Sequence, residues 1–480
     1  MAYSDSHSLP LCIDLDGTLV KTDMLFESLA RLLKSKPWLI LLVPFWCLLG
    51  RAALKRKLAS HVSIDVHSLP YNNALVDWLR VQKNRKRQLL LVTAADEQLA
   101  KPIADHLGFF DRVLASNGIL NLKGKDKLKV LRQQLQEGFE YAGDSSADLE
   151  IWRHCRSAVT VGASASLLRR LRKHVPEVKT FDGRRTSWMH YLSALRIHQW
   201  AKNVLIYVPL ITAHQLEHVE MVVQATFCAV VFGLCSSAQY ILNDIVDLEA
   251  DRAHPKKRER PFASGEIPLH VGFVLAPVLL VGSLGMAWLY SPALAMLLGV
   301  YFLLSLTYSL WLKKMVLVDT FCLSALYLLR IVAGHVVTGV AFSVWLLSFA
   351  FFLFLSLAFS KRLTELELVR KTNGAMNGRG YGVEDTLQVN LFGVCSAFLS
   401  TVVFILYLQS EKVKELYQTP EVLWLLSPVY LYWISRIWIL STRGKVQEDP
   451  VVFVVKDRVS YGVAAVSGLI MFVATQGWLS

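Results

Sequence analysis

Two groups of aspartates in this chain have types and spacings that could do chemistry. Asp244, Asp247 and Asp251 stand at i, i+3 and i+7, a spacing that puts three carboxylates on one face of a helix. They lie where a long apolar run meets a polar segment. Such a row repels itself unless a cation sits in it, and Mg²⁺ carrying a diphosphate neutralises it naturally. Lys256, Lys257, Arg258 and Arg260 follow, placed to meet phosphate oxygens, and Pro255 and Pro261 restrict that loop. The second group, Asp14 and Asp16, sits in DLDGT. Two carboxylates two residues apart at a strand end point the same way. One could attack phosphorus while the other handles the leaving-group proton, and Gly17 lets the chain turn away.

The elements that must position Asp14 and Asp16 are legible around them. Leu11–Leu15, Leu89–Val92 and Ala158–Val161 read as buried strands alternating with helices, which gives an α/β domain over residues 1–185. LVTAAD carries Thr93 at a strand tip, GKDKLKVL carries Lys127, and YAGDSSAD carries Asp144 and Asp148 at another strand end. With DLDGT, these motifs occur in an order that resembles the haloacid dehalogenase superfamily of phosphotransferases. The resemblance implies a Rossmannoid α/β fold, Asp14 as nucleophile and Asp16 as general acid/base. It also implies Thr93 and Lys127 on the phosphoryl oxygens, and Mg²⁺ held among Asp14, Asp16, Asp144 and Asp148. Pro37 to Leu49 (PWLILLVPFWCLL) breaks the pattern of a soluble domain. Too short to span a bilayer, it is either a segment dipping into the membrane interface or a buried helix of the soluble domain.

Residues 186–480 read as an all-α polytopic membrane domain. Nine candidate spans lie near 200–216, 221–242, 269–290, 292–311, 315–338, 343–360, 386–408, 422–440 and 459–478. The whole chain is 54% hydrophobic and only 19% charged, too apolar for an ordinary soluble enzyme, yet its net charge is +13. The basic residues concentrate in alternate loops: Arg252 to Arg260, then Lys313 and Lys314, then Lys361, Arg362, Arg370, Lys371 and Arg379, then Arg443, Lys445, Lys456 and Arg458. The intervening loops are nearly free of them, apart from Lys412 and Lys414. The positive-inside rule accounts for this charge without nucleic acid as a partner. It puts the N-terminal domain in the cytoplasm of a cell whose inner membrane holds the spans, and the odd span count puts the C-terminus outside. The N-terminus lacks the layout of a secretory signal. Seven scattered cysteines without a CxxC pair read as reduced packing residues.

The run NDIVDLEADRAHPKKRERP, followed by SG, resembles the first aspartate motif of UbiA-type prenyltransferases. The resemblance assigns Asn243, Asp244, Asp247 and Asp251 to Mg²⁺ and diphosphate. Such proteins usually carry a second aspartate-rich motif after the sixth span; here that loop begins SKRLTELE, with Lys361, Arg362 and Glu365. A cationic pair suggests an anionic group held directly, such as an acceptor lipid phosphate. LRIHQWAKN (with Lys202), YSLWLKKMVLVD (Tyr308, Lys313, Asp319), LRIVAG (Arg330) and QEDPVVFVVKDRVS are similar to the decaprenyl-phosphate phosphoribosyltransferase branch. Arg330 deep in a span is costly unless paired or lining a polar cavity, and a lining role is the expectation. Lys202 reads either as a ligand or as a snorkelling anchor, and His198 and His335 as packing residues. The implied reaction is Mg²⁺-dependent transfer of 5-phosphoribose from phosphoribosyl diphosphate to a polyprenyl phosphate, with the first domain then dephosphorylating the product. The alternatives are prenyl transfer from a prenyl diphosphate to an aromatic or other small acceptor, a transporter with an intramembrane charge site, and a catalytically silent first domain.

Overall fold

The computed structural model describes residues 9–184, 186–372, 379–446, 453–454 and 456–476. The QEDP run at 447–450 and the side chains of Lys371, Lys412 and Lys414 lie outside the described residues. The chain divides into two compact units, Met1–Leu195 with Tyr240–Pro277, and Arg196–Gln239 with Val278–Ser480. The aspartate-rich segment after the first long apolar helix therefore belongs to the same unit as the N-terminal α/β domain.

That domain is built on a six-stranded parallel sheet. Its strands are β1 Leu11–Ile13, β2 Leu89–Asp96, β3 Arg112–Ser116, β4 Glu140–Gly143, β5 Ser157–Val161 and β6 Glu177–Phe181, in the order β3-β2-β1-β4-β5-β6. Successive side chains serve opposite faces. Leu11, Ile13, Leu89 and Leu91 enter one apolar cluster, while Cys12, Leu90, Val92 and Tyr141 enter the other. This double burial explains why the strands read as nearly continuous apolar runs. The strand order reverses between β1 and β4, where an open parallel sheet forms a ligand crevice beyond its carboxyl ends. Asp14 follows β1 and Asp144 follows β4, so the sheet itself brings them together.

Local caps set the helices around the crevice. Asp23 accepts from Leu25 N at 2.8 Å to start the helix Met24–Ser35. Asp96 accepts from Gln98 N at 3.0 Å to start Glu97–Leu107, which Gly108 ends at φ 71°. Pro37–Leu42 and Val43–Leu48 form a 3₁₀ turn and a short helix, followed by the helix Arg51–His61.

Among the described residues, eight helices are long and apolar enough to cross a membrane: Val219–Val246, Leu269–Tyr290, Pro292–Leu310, Val318–Thr338, Val344–Arg370, Val383–Leu408, Pro420–Thr442 and Arg458–Gln476. The expected nine is thus corrected to eight, and the argument from an odd count to an outside C-terminus lapses. The first candidate, 200–216, is instead a 3₁₀ run, Ile197–Tyr207, and a short helix, Val208–Thr212. Pro209 cannot donate a backbone bond there. Two glycines let this segment lie close against its neighbours: a Cβ at Gly233 would meet the Trp200 ring at 2.6 Å, and one at Gly334 would meet Ile206 O at 2.2 Å.

Candidate functional sites

The crevice of the first unit gathers most of the motif residues assigned to it. Lys127 Nζ donates to Asp14 Oδ2 at 2.8 Å and to the Tyr141 hydroxyl at 2.9 Å. That hydroxyl lies 3.2 Å from Asp14 Oδ2 and 3.1 Å from Asp148 Oδ1. The second oxygen of Asp148 accepts from Asp144 N, Ser145 N and Ser145 Oγ at 3.1–3.3 Å. In this geometry Asp148 shapes the turn that carries Asp144. Gly17 has φ 74°, and a Cβ there would meet Asp144 Oδ2 at 2.2 Å, so only glycine lets the DLDGT turn approach that carboxylate. Thr93 is fully buried on β2, where its hydroxyl accepts from Ala95 N at 2.9 Å.

The electrostatics suit divided roles. Desolvation, then the nearby Asp23 carboxylate, pushes the Asp16 carboxyl well above the usual range, although Met24 N donates to it at 2.8 Å. A carboxyl shifted upward in this way is displaced in the direction a general acid requires. Desolvation, together with Asp148 and Asp14, lifts Asp144 to about 7. Two residues outside the sequence assignment also stand here. Lys55, drawn below the usual ammonium range by burial, donates to Ala94 O at 2.6 Å and shares a crevice with Asp16. Tyr141 links Asp14, Lys127 and Asp148. Lys55 lies in the helix Arg51–His61, outside the four motifs, and nothing local marks Tyr141.

The second aspartate group lies in the same unit. Asp244 is in the helix Val219–Val246, Asp247 stands at the junction before the next helix, and Asp251 is within Leu248–Ala253. The expected continuous helix face is bent at Asp247, yet Asp247 N still reaches Asn243 O at 2.9 Å and Asp251 N reaches Asp247 O at 2.8 Å. Asp244 and Asp251 are each only 2% exposed, and Arg260 NH1 bridges them at 3.2 and 2.6 Å. Desolvation raises the Asp251 carboxyl and Arg260 opposes that rise. Asn243 precedes the first carboxylate on the helix, while Lys257 stands exposed on a 3₁₀ turn beyond the last.

Among the described residues, no three His, Cys, Asp or Glu side chains form a ready-made metal cluster. The donor chemistry still fits Mg²⁺, which takes one or two protein carboxylates and completes its shell with water and substrate phosphates. The mutual repulsion that lifts Asp144 is relieved by such a cation. Asp14 and Asp144 in the crevice, and Asp244 and Asp251 around Arg260, provide that sparse oxygen set.

The remaining assigned residues lie in the second unit and fall into two clusters. Arg330 donates to Asn203 Oδ1 at 3.2 Å, Leu326 O at 2.7 Å and Tyr301 OH at 3.1 Å. It lies over the rings of Phe232, Tyr301 and Tyr327, and Lys202 Nζ stands 5.4 Å from the Tyr327 centroid. In the other cluster Arg362 is fully buried. It meets Asp319 Oδ2 at 2.5 Å, Tyr308 OH at 3.2 Å, and Glu365. Arg379 joins through Tyr308 OH at 2.9 Å, and Tyr381 OH donates to Asp319 Oδ1 at 2.7 Å. Asp319 is thus committed to Arg362 and Tyr381. Lys361 and Lys313 flank this cluster, both half-buried.

Breaking the Asp319–Arg362 pair leaves a buried charge uncompensated. Asp319→Ala and Arg362→Met are each expected to cost about 3–5 kcal/mol. The check is the unfolding midpoint in detergent, with the double variant losing less than the sum of the singles. Additive losses would show that the two groups do not depend on each other.

Residues 205–454 match the model of the UbiA prenyltransferase family, and residues 11–153 match that of haloacid dehalogenase-like hydrolases. The uncharacterized protein y4nM of Sinorhizobium fredii is 41% identical over 461 residues, covering 95% of this chain and 89% of that protein. The decaprenyl-phosphate phosphoribosyltransferase of Mycobacterium tuberculosis is 38% identical over 189 residues, covering 38% of this chain and 63% of that enzyme. The nodulation protein NoeC of Azorhizobium caulinodans is 33% identical over 281 residues, covering 56% of this chain and 88% of NoeC.

Proposed function

Because this chain belongs to the UbiA prenyltransferase family and carries an N-terminal haloacid dehalogenase-like domain, we propose that it is a two-activity enzyme of lipid-linked sugar chemistry. Its membrane domain transfers 5-phosphoribose from phosphoribosyl diphosphate to a polyprenyl phosphate. The N-terminal domain, bounded near residue 185, then removes the 5-phosphate from that product on the cytoplasmic face of the inner membrane. The observation that carries the donor assignment is the 38% identity to a phosphoribosyltransferase of known reaction name. The buried Asp244 and Asp251 carboxylates, tied by Arg260, support a diphosphate site.

Both families are typically Mg²⁺-dependent, and a bound Mg²⁺ would neutralise the leaving diphosphate in one site and the transferring phosphoryl group in the other. Asp244, Asp247 and Asp251 would hold it in the first site, Asp14 and Asp144 in the second. Within the transferase, Arg260 and Lys257 offer cationic donors to the oxygens that gain charge as the anomeric C–O bond breaks. The acceptor phosphate attacks the anomeric carbon; already an anion, it needs no strong base. Lys361 and Lys202 are the amines proposed to steer it. Arg362 already serves three side-chain acceptors, which supports a positioning role for it through Tyr308 and Asp319.

In the phosphatase step Asp14 attacks phosphorus, the ester P–O bond breaks, and Asp16 gives its proton to the departing hydroxyl oxygen. Asp16 then takes a proton from water as that water cleaves the aspartyl phosphate, releasing inorganic phosphate. Lys127, 2.8 Å from Asp14, and Thr93 would hold the phosphoryl oxygens.

The test is donor choice. Purified protein with Mg²⁺ and a polyprenyl phosphate is expected to move label from phosphoribosyl diphosphate into the lipid extract. If the same preparation instead consumes a prenyl diphosphate and an aromatic acceptor, the phosphoribosyl reading is lost and prenyl transfer replaces it.

A further inference from the structure

In the first unit, residues 37–49 carry many of their apolar side chains outward, while Leu39, Ile40 and Val43 pack inward beside Trp46. Trp38, Leu41, Phe45, Leu48 and Leu49 are 63–84% exposed. Only Trp46 is buried, stacked on His61 and packed with Leu32, Leu54 and Leu58. The segment is thus a lobe held by one side to the helices Met24–Ser35 and Arg51–His61, with its other side apolar and uncovered. An uncovered apolar patch of this kind marks an interaction surface.

We infer that this lobe inserts shallowly into the lipid bilayer and makes the phosphatase crevice one that takes membrane-borne phosphomonoesters. Charge supports lipid as the occupant: Arg51 and Lys57 stand exposed at the lobe's base, where anionic headgroups would lie. A tryptophan at the rim suits the same depth. The lobe is also tied to segments that flank spans in its own unit. Just before it, Glu27 receives both Arg252 NH1 and NH2, at 3.2 and 2.6 Å, and Arg31 NH1 meets Glu249 Oε2 at 2.5 Å. Phe26 lies 5.7 and 5.8 Å from the rings of His270 and Phe273, at the start of the helix Leu269–Tyr290.

The lobe and the chemistry share walls. Asp16 lines a crevice with Met24, Leu25 and Ser28 from the helix before the lobe, and with Lys55 and Leu58 from the helix after it. A phosphate ester reaching Asp14 and Asp16 past these helices would approach from the lobe's side. Its alcohol portion is therefore a lipid or a lipid-linked sugar, a substrate class that rests on the phosphatase reading above; the insertion itself does not.

Insertion is tested on the full chain in nanodiscs of zwitterionic and anionic phospholipid. Leu48→Cys would carry a bimane label, with the exposed Cys47 and Cys395 replaced by serine. Doxyl groups high on the acyl chains are expected to quench the label at least about twofold more than aqueous iodide. Quenching by iodide alone, or by neither because a second copy covers the patch, would overturn insertion. For the substrate class, Leu41→Ser/Leu48→Ser is expected to slow dephosphorylation of the lipid product made in situ by about tenfold or more. Hydrolysis of p-nitrophenyl phosphate should stay within about twofold in the same variant. An equal effect on both substrates would overturn the assignment to lipid-borne esters. No p-nitrophenyl phosphate turnover in the unmodified protein would instead remove the phosphatase reading, leaving the quenching result to decide insertion.

Discussion

Asp244→Ala is expected to lower transfer of label into the lipid by about a hundredfold or more. Asp244 is almost fully buried, shares Arg260 with Asp251, and sits at the end of a membrane helix. Removing it deletes a carboxylate proposed for Mg²⁺ and leaves the Arg260 guanidinium weighted towards Asp251. The diphosphate then loses its grip in the step where charge grows on it. Asp244→Asn separates this from simple misfolding, because the amide keeps the shape and still accepts from Arg260. It should retain the wild-type unfolding midpoint while losing most turnover, with a raised Mg²⁺ requirement. An asparagine variant with full activity at low Mg²⁺ would remove Asp244 from the metal site.

Asp14→Asn is expected to separate the two activities. An amide cannot form an aspartyl phosphate, so hydrolysis should fall by about a thousandfold or more, the scale seen when a covalent nucleophile is removed. The same change weakens the 2.8 Å charge-assisted bond from Lys127 and leaves the strand end intact. Lipid labelling from phosphoribosyl diphosphate should continue, and the phosphorylated lipid should accumulate where the wild type releases phosphate. An unchanged product distribution would show that the N-terminal site does not act on this product.

Much of the phosphatase-like crevice was legible because its parts are local. Asp14 and Asp144 each follow a short buried strand and Thr93 lies on one, and an apolar run leading into Asp or Thr marks those positions without knowledge of the fold. Lys55 and Tyr141 escaped notice because their roles arise from distant segments folding onto the crevice. The spacing of Asp244, Asp247 and Asp251 exposed the second group, yet it could not show the bend at Asp247 or the closure of Arg260 onto two of the three carboxylates. The segment 200–216 is apolar enough to resemble a span in any sliding window. Hydropathy does not register Pro209, nor the close approaches that Gly233 and Gly334 permit. Two of the three partners of Arg362, Tyr308 and Asp319, come from other stretches of chain, so the pair Lys361–Arg362 read as two available cations when one was already enclosed.

The Glu27–Arg252 pair bears on how such a protein could be divided or inherited. Both side chains are about 5% exposed, and each lies on a different side of the apparent linker near residue 185. A gene split at that linker would leave the membrane fragment with the Arg252 guanidinium facing water where it had faced a carboxylate. The separated pieces would lose this pair and the packing around it, so the chain on either side of the linker is held by more than the linker itself.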